Sequence, residues 1–196
     1  MDSMIVVIDN FIKHQWLLDE IEQNLDDMFQ DPGVYKWWEG WWARDPVNTT
    51  QRLIHYVWVE ECPIRDTFQI SGVEYWTGRQ TCAETDERWE DNLIMHIDKD
   101  EEHWDNTDEV IGPVMGTIYY PPGQDFDGGN LEIFTDGSDN PPEVLKAKDN
   151  RLIIFEAGKY YHRVSQVTRG SRRAIAFNLW DAPPSGVASG ALVQEY

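Results

Sequence analysis

The rhythm of apolar and polar positions changes about halfway along this 196-residue chain. The first half opens on a short apolar run, MIVVI (residues 4–8), followed by Asp9 and Asn10 as alternative helix caps. Phe11, Ile12, Leu17, Leu18, Ile21 and Leu25 then recur at roughly helical spacing, which predicts a helix through about Phe29, ended by Asp31-Pro32-Gly33. Beyond a tryptophan-rich segment, RLIHYVWVEE (52–61) alternates only weakly and fits either a strand or part of a helix. In DTFQISGVEYW (66–76), Gly72 interrupts the pattern and leaves the region unassigned. From residue 93 onward short apolar runs follow one another: LIMHI, GPVMGTIYY, GGNLEIF, RLIIFEA, YHRVSQV and RRAIAFNLW. Turn chemistry separates them at Pro121-Pro122-Gly123, Asp127-Gly128-Gly129 and Pro141-Pro142, so these runs predict short strands of a sandwich or barrel. The tail DAPPSGVASGALVQEY (181–196) is rich in small and turn-forming residues and reads as a flexible extension.

Composition narrows this picture. A 41% hydrophobic and 13% aromatic chain of this length suits one globular domain, taken as residues 1–180 with the tail outside it. No apolar run approaches the length that spans a bilayer, and the acidic start MDSM does not resemble a secretory leader. Cys62 and Cys82 are too few for a disulfide framework and lack metal-motif spacing, which predicts free thiols and a cytoplasmic protein without a membrane partner. Sixteen Lys+Arg against 36 Asp+Glu give a formal charge of −20, which repels a phosphate backbone and argues against a nucleic-acid partner. RVSQVTRGSRR (163–173) is the local exception; its four arginines fit a solvated hairpin or an anion site.

Within LIMHIDKD (93–100), His96 and Asp98 form a His-x-Asp pair. Five His and 20 Asp produce about half such a pair by chance, so the pair alone carries little. On an extended segment, however, residues two apart share a face, and the imidazole and carboxylate stand side by side. His162 supplies a third ligand on a later predicted strand, and Arg172 follows it by ten residues. Two His and one carboxylate on one face of an octahedron are the ligand set of non-haem Fe(II) sites that keep positions open for substrate and oxygen.

With these residues in this order, the chain resembles the Fe(II)/2-oxoglutarate-dependent dioxygenases, in particular their prolyl 4-hydroxylase-like branch. That resemblance is dense from about residue 90 to 180 and includes the strand, turn, Gly-Gly and strand of TIYYPPGQDFDGGNLEIF (117–134). It implies a mainly β protein whose core is a double-stranded β-helix (jelly-roll or cupin-like), supported by N-terminal helices, with metal and co-substrate motifs over 93–180. It further implies that His96, Asp98 and His162 are the catalytic metal ligands, and that Arg172 and Tyr120 bind the distal carboxylate of 2-oxoglutarate. Its cofactors are Fe(II), 2-oxoglutarate and O2, with ascorbate as a further candidate. The reaction implied is hydroxylation of an unactivated C–H with decarboxylation of 2-oxoglutarate to succinate. A peptide or protein prolyl residue is the leading substrate, with a free amino acid or another small molecule, or a non-catalytic binding barrel, as alternatives.

Some details of the assignment rest on the residues themselves. A guanidinium offers a rigid fork of donors that matches a carboxylate. Counting by twos back from Trp180 places Asn178, Ala176, Ala174 and Arg172 on one face, whereas a bulge would transfer the role to Arg173. Asp98 argues for hydroxylation over halogenation, because halogenases of the superfamily lack that ligand. Asn178 stands where the nucleic-acid-demethylating branch carries a second arginine. His103 is the rival ligand but lies in DKDEEHWDNTDE, an expected acidic loop; His14 and His55 lack partner patterns and read as structural. Trp37, Trp38, Trp41 and Trp42 read as core or a packed lid, with stacking on prolyl or sugar rings as the minor alternative. Oligomeric state is not legible.

Overall fold

The computed structural model describes residues 4–62, 69–82 and 95–195. The first two residues of LIMHI and the start of DTFQISG lie outside these. Strands β1 (Ile5–Asp9), β2 (Lys36–Glu39), β3 (Gly72–Thr81), β4 (Met115–Tyr120), β8 (Arg151–Phe155), β10 (Val167–Trp180) and β11 (Val193–Glu195) form one sheet. Their order is β1-β8-β4-β10-β3-β2-β11, with β5 (Phe126–Gly128) paired to the first part of β10. A second sheet has the order β7-β6-β9, from Glu143–Leu145, Leu131–Phe134 and Tyr161–Val164. The two sheets are those of a double-stranded β-helix, mainly β as the resemblance implied.

Strand pleating divides the larger sheet into two chemically different faces. Ile175, Phe177 and Leu179 of β10, with Val73 and Tyr75 of β3, join Leu17, Ile21, Leu53, Ile54 and Trp58 in a core beneath the N-terminal helices. The alternate residues face the second sheet, where Tyr120, Leu131, Ile133, Ile153, Phe155 and Ala174 form a smaller core. Trp37, Trp38 and Trp41 are fully buried and Trp42 packs at the core edge, so this block is packing material. The ring of Trp37 fills the space beside Gly72, where a Cβ would stand 2.3 Å from it, which explains the glycine that interrupts the pattern at the start of β3.

Several local expectations change. The helix expected from Asp9 or Asn10 begins later: α1 is Gln15–Gln23, with His14 at its N-cap, followed by a short α2, Leu25–Met28. Asp9 instead ends β1 and pairs with Lys148 and Arg151 at 2.9 and 2.6 Å. The ambiguous RLIHYVWVEE is helical: α3 (Thr49–His55) is capped by the Asn48 side chain accepting from the Gln51 N–H at 2.8 Å, and a π-type turn continues it to Glu61. The acidic loop is helix α4 (Glu101–Thr107); the Asp100 carboxylate accepts from the His103 N–H at 3.0 Å, and Glu101 and Glu102 lie at its positive end.

The reading of 181–196 as a flexible tail is corrected for residues 181–195. Helix α5 (Ser185–Ser189) contacts α4, and the Ser185 N–H donates to Asp100 at 2.6 Å. Strand β11 then pairs in parallel with β2, and Glu195 forms an ion pair with Lys36 at 2.8 Å while accepting from Gln51 at 2.8 Å and from Tyr75. Small residues reduce local hydrophobic signal, but they do not prevent backbone pairing at an open sheet edge. Cys62 and Cys82 are free, and among the described residues no helix is long and apolar enough to cross a membrane.

Candidate metal and co-substrate site

His96 lies on a single antiparallel bridge to His162, whose two backbone bonds measure 3.0 and 2.8 Å. The Asp98 N–H donates to the Ala157 carbonyl at 3.0 Å, so the segment is pinned to the chain between β8 and β9 although it is not a regular strand. His96, Asp98 and His162 consequently present one ligand atom each, all within 4.8 Å of one another. The Asp98 Oδ1 stands 3.3 Å from His96 Nε2 and 3.4 Å from His162 Nε2. His103 is not in this group. His162 is buried and His96 half-exposed, so the cluster has a closed side and an open one.

The ring of His162 is held from two directions. Its Nδ1 lies 3.0 Å from the Tyr160 carbonyl, and Phe155 packs edge-on with ring centroids 5.0 Å apart. A carbonyl only accepts, so Nδ1 carries a proton and Nε2 is the ring nitrogen that faces Asp98. This is the arrangement a metal ligand needs, with the second nitrogen anchored by a carbonyl. Burial alone would push the Asp98 carboxyl up, but hydrogen bonding and charge from His162 and His96 outweigh it and hold it below the usual carboxylate range. The donor set and its ionisation fit a divalent cation.

Arg172 lies on the same inner face of β10 as Asn178. Both strand registers run unbroken from Ser171 to Trp180 against β3 and from Ile175 to Leu179 against β4; the irregularity in β10 falls earlier, between Val167 and Arg169. Arg172 is therefore buried, at 2% exposure, while Arg173 faces the other side, over the Phe29 ring and 3.2 Å from Asp26. Arg163 and Arg169 also have carboxylate partners, Glu132 for the first and Asp125 and Asp127 for the second. Arg172 instead donates to the Tyr120 hydroxyl at 3.1 Å and to Gln80, both neutral, and its buried Nε has no partner among the described residues. A buried guanidinium with an unused donor and neutral neighbours fits an anion such as a carboxylate.

Between the two ends the inner-face residues of β10 are the small Ala174 and Ala176. Gly78 lies opposite Ala174, and Trp76 opposite Ala176, with Trp76, Gly78 and Ala176 partly accessible. Gly129, at a φ of +65°, leaves room for the arginine, since a Cβ there would stand 2.5 Å from Arg172 Cδ. Sequence reasoning missed Gln80 and Glu74 on β3, and the bond from Asn178 to Asp98 at 3.0 Å. Alternation within GVEYWTGRQ, with Val73, Tyr75 and Thr77 buried and Glu74, Trp76, Gly78 and Gln80 partly open, was the available signal. Burial and the nearby Asp98 charge push the Glu74 carboxyl up to about 7, against hydrogen bonds from Trp180 and Asn178.

Residues 88–180 match the family model of the 2OG-Fe(II) oxygenase superfamily. Over this segment the chain is similar to that superfamily. No curated protein sequence matches the chain. Among solved structures, a prolyl-4-hydroxylase from Pseudomonas putida is similar at a TM-score of 0.60 and 12% identity, over 92% of this chain and 89% of that one. A prolyl 4-hydroxylase from Phytophthora capsici gives 0.58 and 15% over 95% and 60%. A prolyl hydroxylase from Trichoplax adhaerens, solved with a hypoxia inducible factor peptide fragment, gives 0.58 and 17% over 90% and 83%. These likenesses establish the shared fold. The superfamily uses Fe(II), 2-oxoglutarate and O2, and the His-Asp-His cluster lies within its matched segment.

Proposed function

We propose that this 2OG-Fe(II) dioxygenase hydroxylates an unactivated C–H of a prolyl residue in a polypeptide, with His96, Asp98 and His162 as metal ligands and Arg172 and Tyr120 as the co-substrate clamp. The observation that supports the site assignment is the pairing, between the two sheets, of a three-residue His-Asp-His cluster with a buried arginine that keeps an unused donor. When bound, the cofactors supply the oxidising chemistry: 2-oxoglutarate and O2 yield succinate and CO2, and one oxygen atom enters the substrate C–H as hydroxyl.

The chain's own residues bind and orient. Arg172 and the Tyr120 hydroxyl take the distal carboxylate of the co-substrate, and Gly78, Ala174 and Ala176 leave room along the inner face toward the metal ligands. The half-exposed His96 marks the side from which a substrate arrives. Trp76, partly exposed on the inner face, packs against Tyr35 with ring centroids 4.8 Å apart and offers an apolar wall of the kind that packs a pyrrolidine ring. An accessible ligand and an aromatic wall support a segment of polypeptide over a fully enclosed metabolite.

The test is succinate release and mass spectrometry with Fe(II) and 2-oxoglutarate against prolyl peptides, intact proteins and free amino acids. A gain of one oxygen on a prolyl peptide is expected. Hydroxylation of a free metabolite without any on proline-containing peptides removes the prolyl reading, and metal binding without turnover on any member of the panel favours a binding barrel.

A further inference from the structure

We infer that Asn178 and Glu74 form a positioning relay that fixes which oxygen of Asp98 faces the metal. The inference rests on the metal-site reading above. Asn178 Nδ2 donates to Asp98 Oδ2 at 3.0 Å, while the other oxygen, Oδ1, is the one that faces both imidazoles. The same Nδ2 reaches Glu74 Oε2 at a long 3.5 Å, and Trp180 Nε1 donates to that oxygen at 3.1 Å. Three side chains on two adjacent strands thus lead from a buried indole to the metal-facing carboxylate.

The chemistry leaves the amide one orientation. Asn offers two N–H donors on nitrogen and only lone pairs on oxygen, and an ionised Asp98 only accepts. Flipping the amide would set its oxygen against Asp98 Oδ2, replacing a hydrogen bond with lone-pair repulsion. Gly116 leaves space for the chosen orientation: a Cβ there would stand 3.1 Å from Asn178 Oδ1. Strand pairing supplies the rest, because Asn178 is in register with both Glu74 on β3 and Gly116 on β4. A carboxylate held by one oxygen from behind presents the other as a single ligand atom and keeps adjacent coordination positions open. Asn178 and Glu74 act through Asp98 and touch no reacting atom.

The test measures Mn(II) affinity by titration calorimetry and the visible spectrum of the Co(II)-loaded full chain, which reports ligand geometry independently of turnover. Asn178→Ala and Glu74→Leu are expected to weaken Mn(II) binding roughly 10- to 100-fold and to change the Co(II) bands. Glu74→Gln keeps an oxygen that accepts from both Trp180 and Asn178, so it should retain the wild-type Co(II) spectrum and most of the affinity. Should Asn178→Ala fail to fold, the contrast between Glu74→Leu and Glu74→Gln decides. Wild-type affinity and spectrum in Glu74→Leu, or equal losses in Glu74→Leu and Glu74→Gln, would overturn the relay while leaving the metal site standing. A wild-type chain that binds no Mn(II) would overturn the metal-site reading and the relay with it.

Discussion

Adjacent arginines on one strand divide the work by pleat alone. Arg172 is buried against Tyr120, whereas Arg173 reaches toward Asp26 at the other surface of the sheet. If Arg172 forks onto the distal carboxylate of 2-oxoglutarate, Arg172→Ala strands that carboxylate, a loss of about 3–5 kcal/mol for breaking a buried pair, and co-substrate affinity should fall by orders of magnitude. Arg172→Lys keeps the charge but not the planar fork and should be intermediate, with Mn(II) affinity retained in both. Arg173→Ala should leave the 2-oxoglutarate dissociation constant nearly unchanged; calorimetry on the three variants checks this, and a large loss confined to Arg173→Ala would reverse the assignment. The parity of RRAIAFNLW is legible in the sequence because the strand is regular from Ser171 onward. The unused Nε and the neutral partner Gln80 were not legible, since they depend on which strand lies alongside.

Elements with alternating residues and glycine-punctuated turns declare themselves, and those formed by tertiary contact do not. Strands β4, β6, β8 and β9 fall where short apolar runs predict them. Helix α4 was hidden because its sequence, EEHWDNT, is polar apart from Trp104 and carries no apolar periodicity, and only the Asp100 cap and acidic first turn betray it. Strand β11 was hidden for another reason: its anchor is a polar hub in which Glu195 meets Lys36, Tyr75 and Gln51. Burial would raise the Glu195 carboxyl, but the hydrogen bonds of Lys36 and Tyr75 and the charge of Lys36 leave it below its ordinary value. A carboxylate with a depressed folded pKa stabilises the fold fully above its unfolded value and loses that contribution as pH falls through the folded one. Glu195→Gln should therefore lower the urea midpoint at pH 7, and the gap to wild type should narrow as the pH is taken below the ordinary carboxylate range. A gap independent of pH would show that the ion pair does not hold β11.

For the whole molecule, one sheet separates two environments. Its outer face is covered by N-terminal helices and buried tryptophans, and its inner face carries Arg172, Ala174, Ala176 and Asn178, the last bonded to Asp98 of the cluster whose His162 lies on the second sheet. The second half of the chain made the barrel and the candidate cluster legible, because His162 falls in a short predicted strand and His96 and Asp98 stand two apart on an extended segment. The first half supplies β3, with Glu74, Trp76 and Gln80, and its role became visible only when it paired with β10 along ten residues of register. The central claim is that the cluster and Arg172 form one site that takes a metal ion and 2-oxoglutarate together. Calorimetric titration of 2-oxoglutarate into metal-free and Mn(II)-loaded protein, without oxygen, tests it most directly. Tight one-to-one binding that requires Mn(II), and that disappears in Asp98→Ala and in Arg172→Ala, is the expected result; binding of equal strength with and without the metal would contradict it.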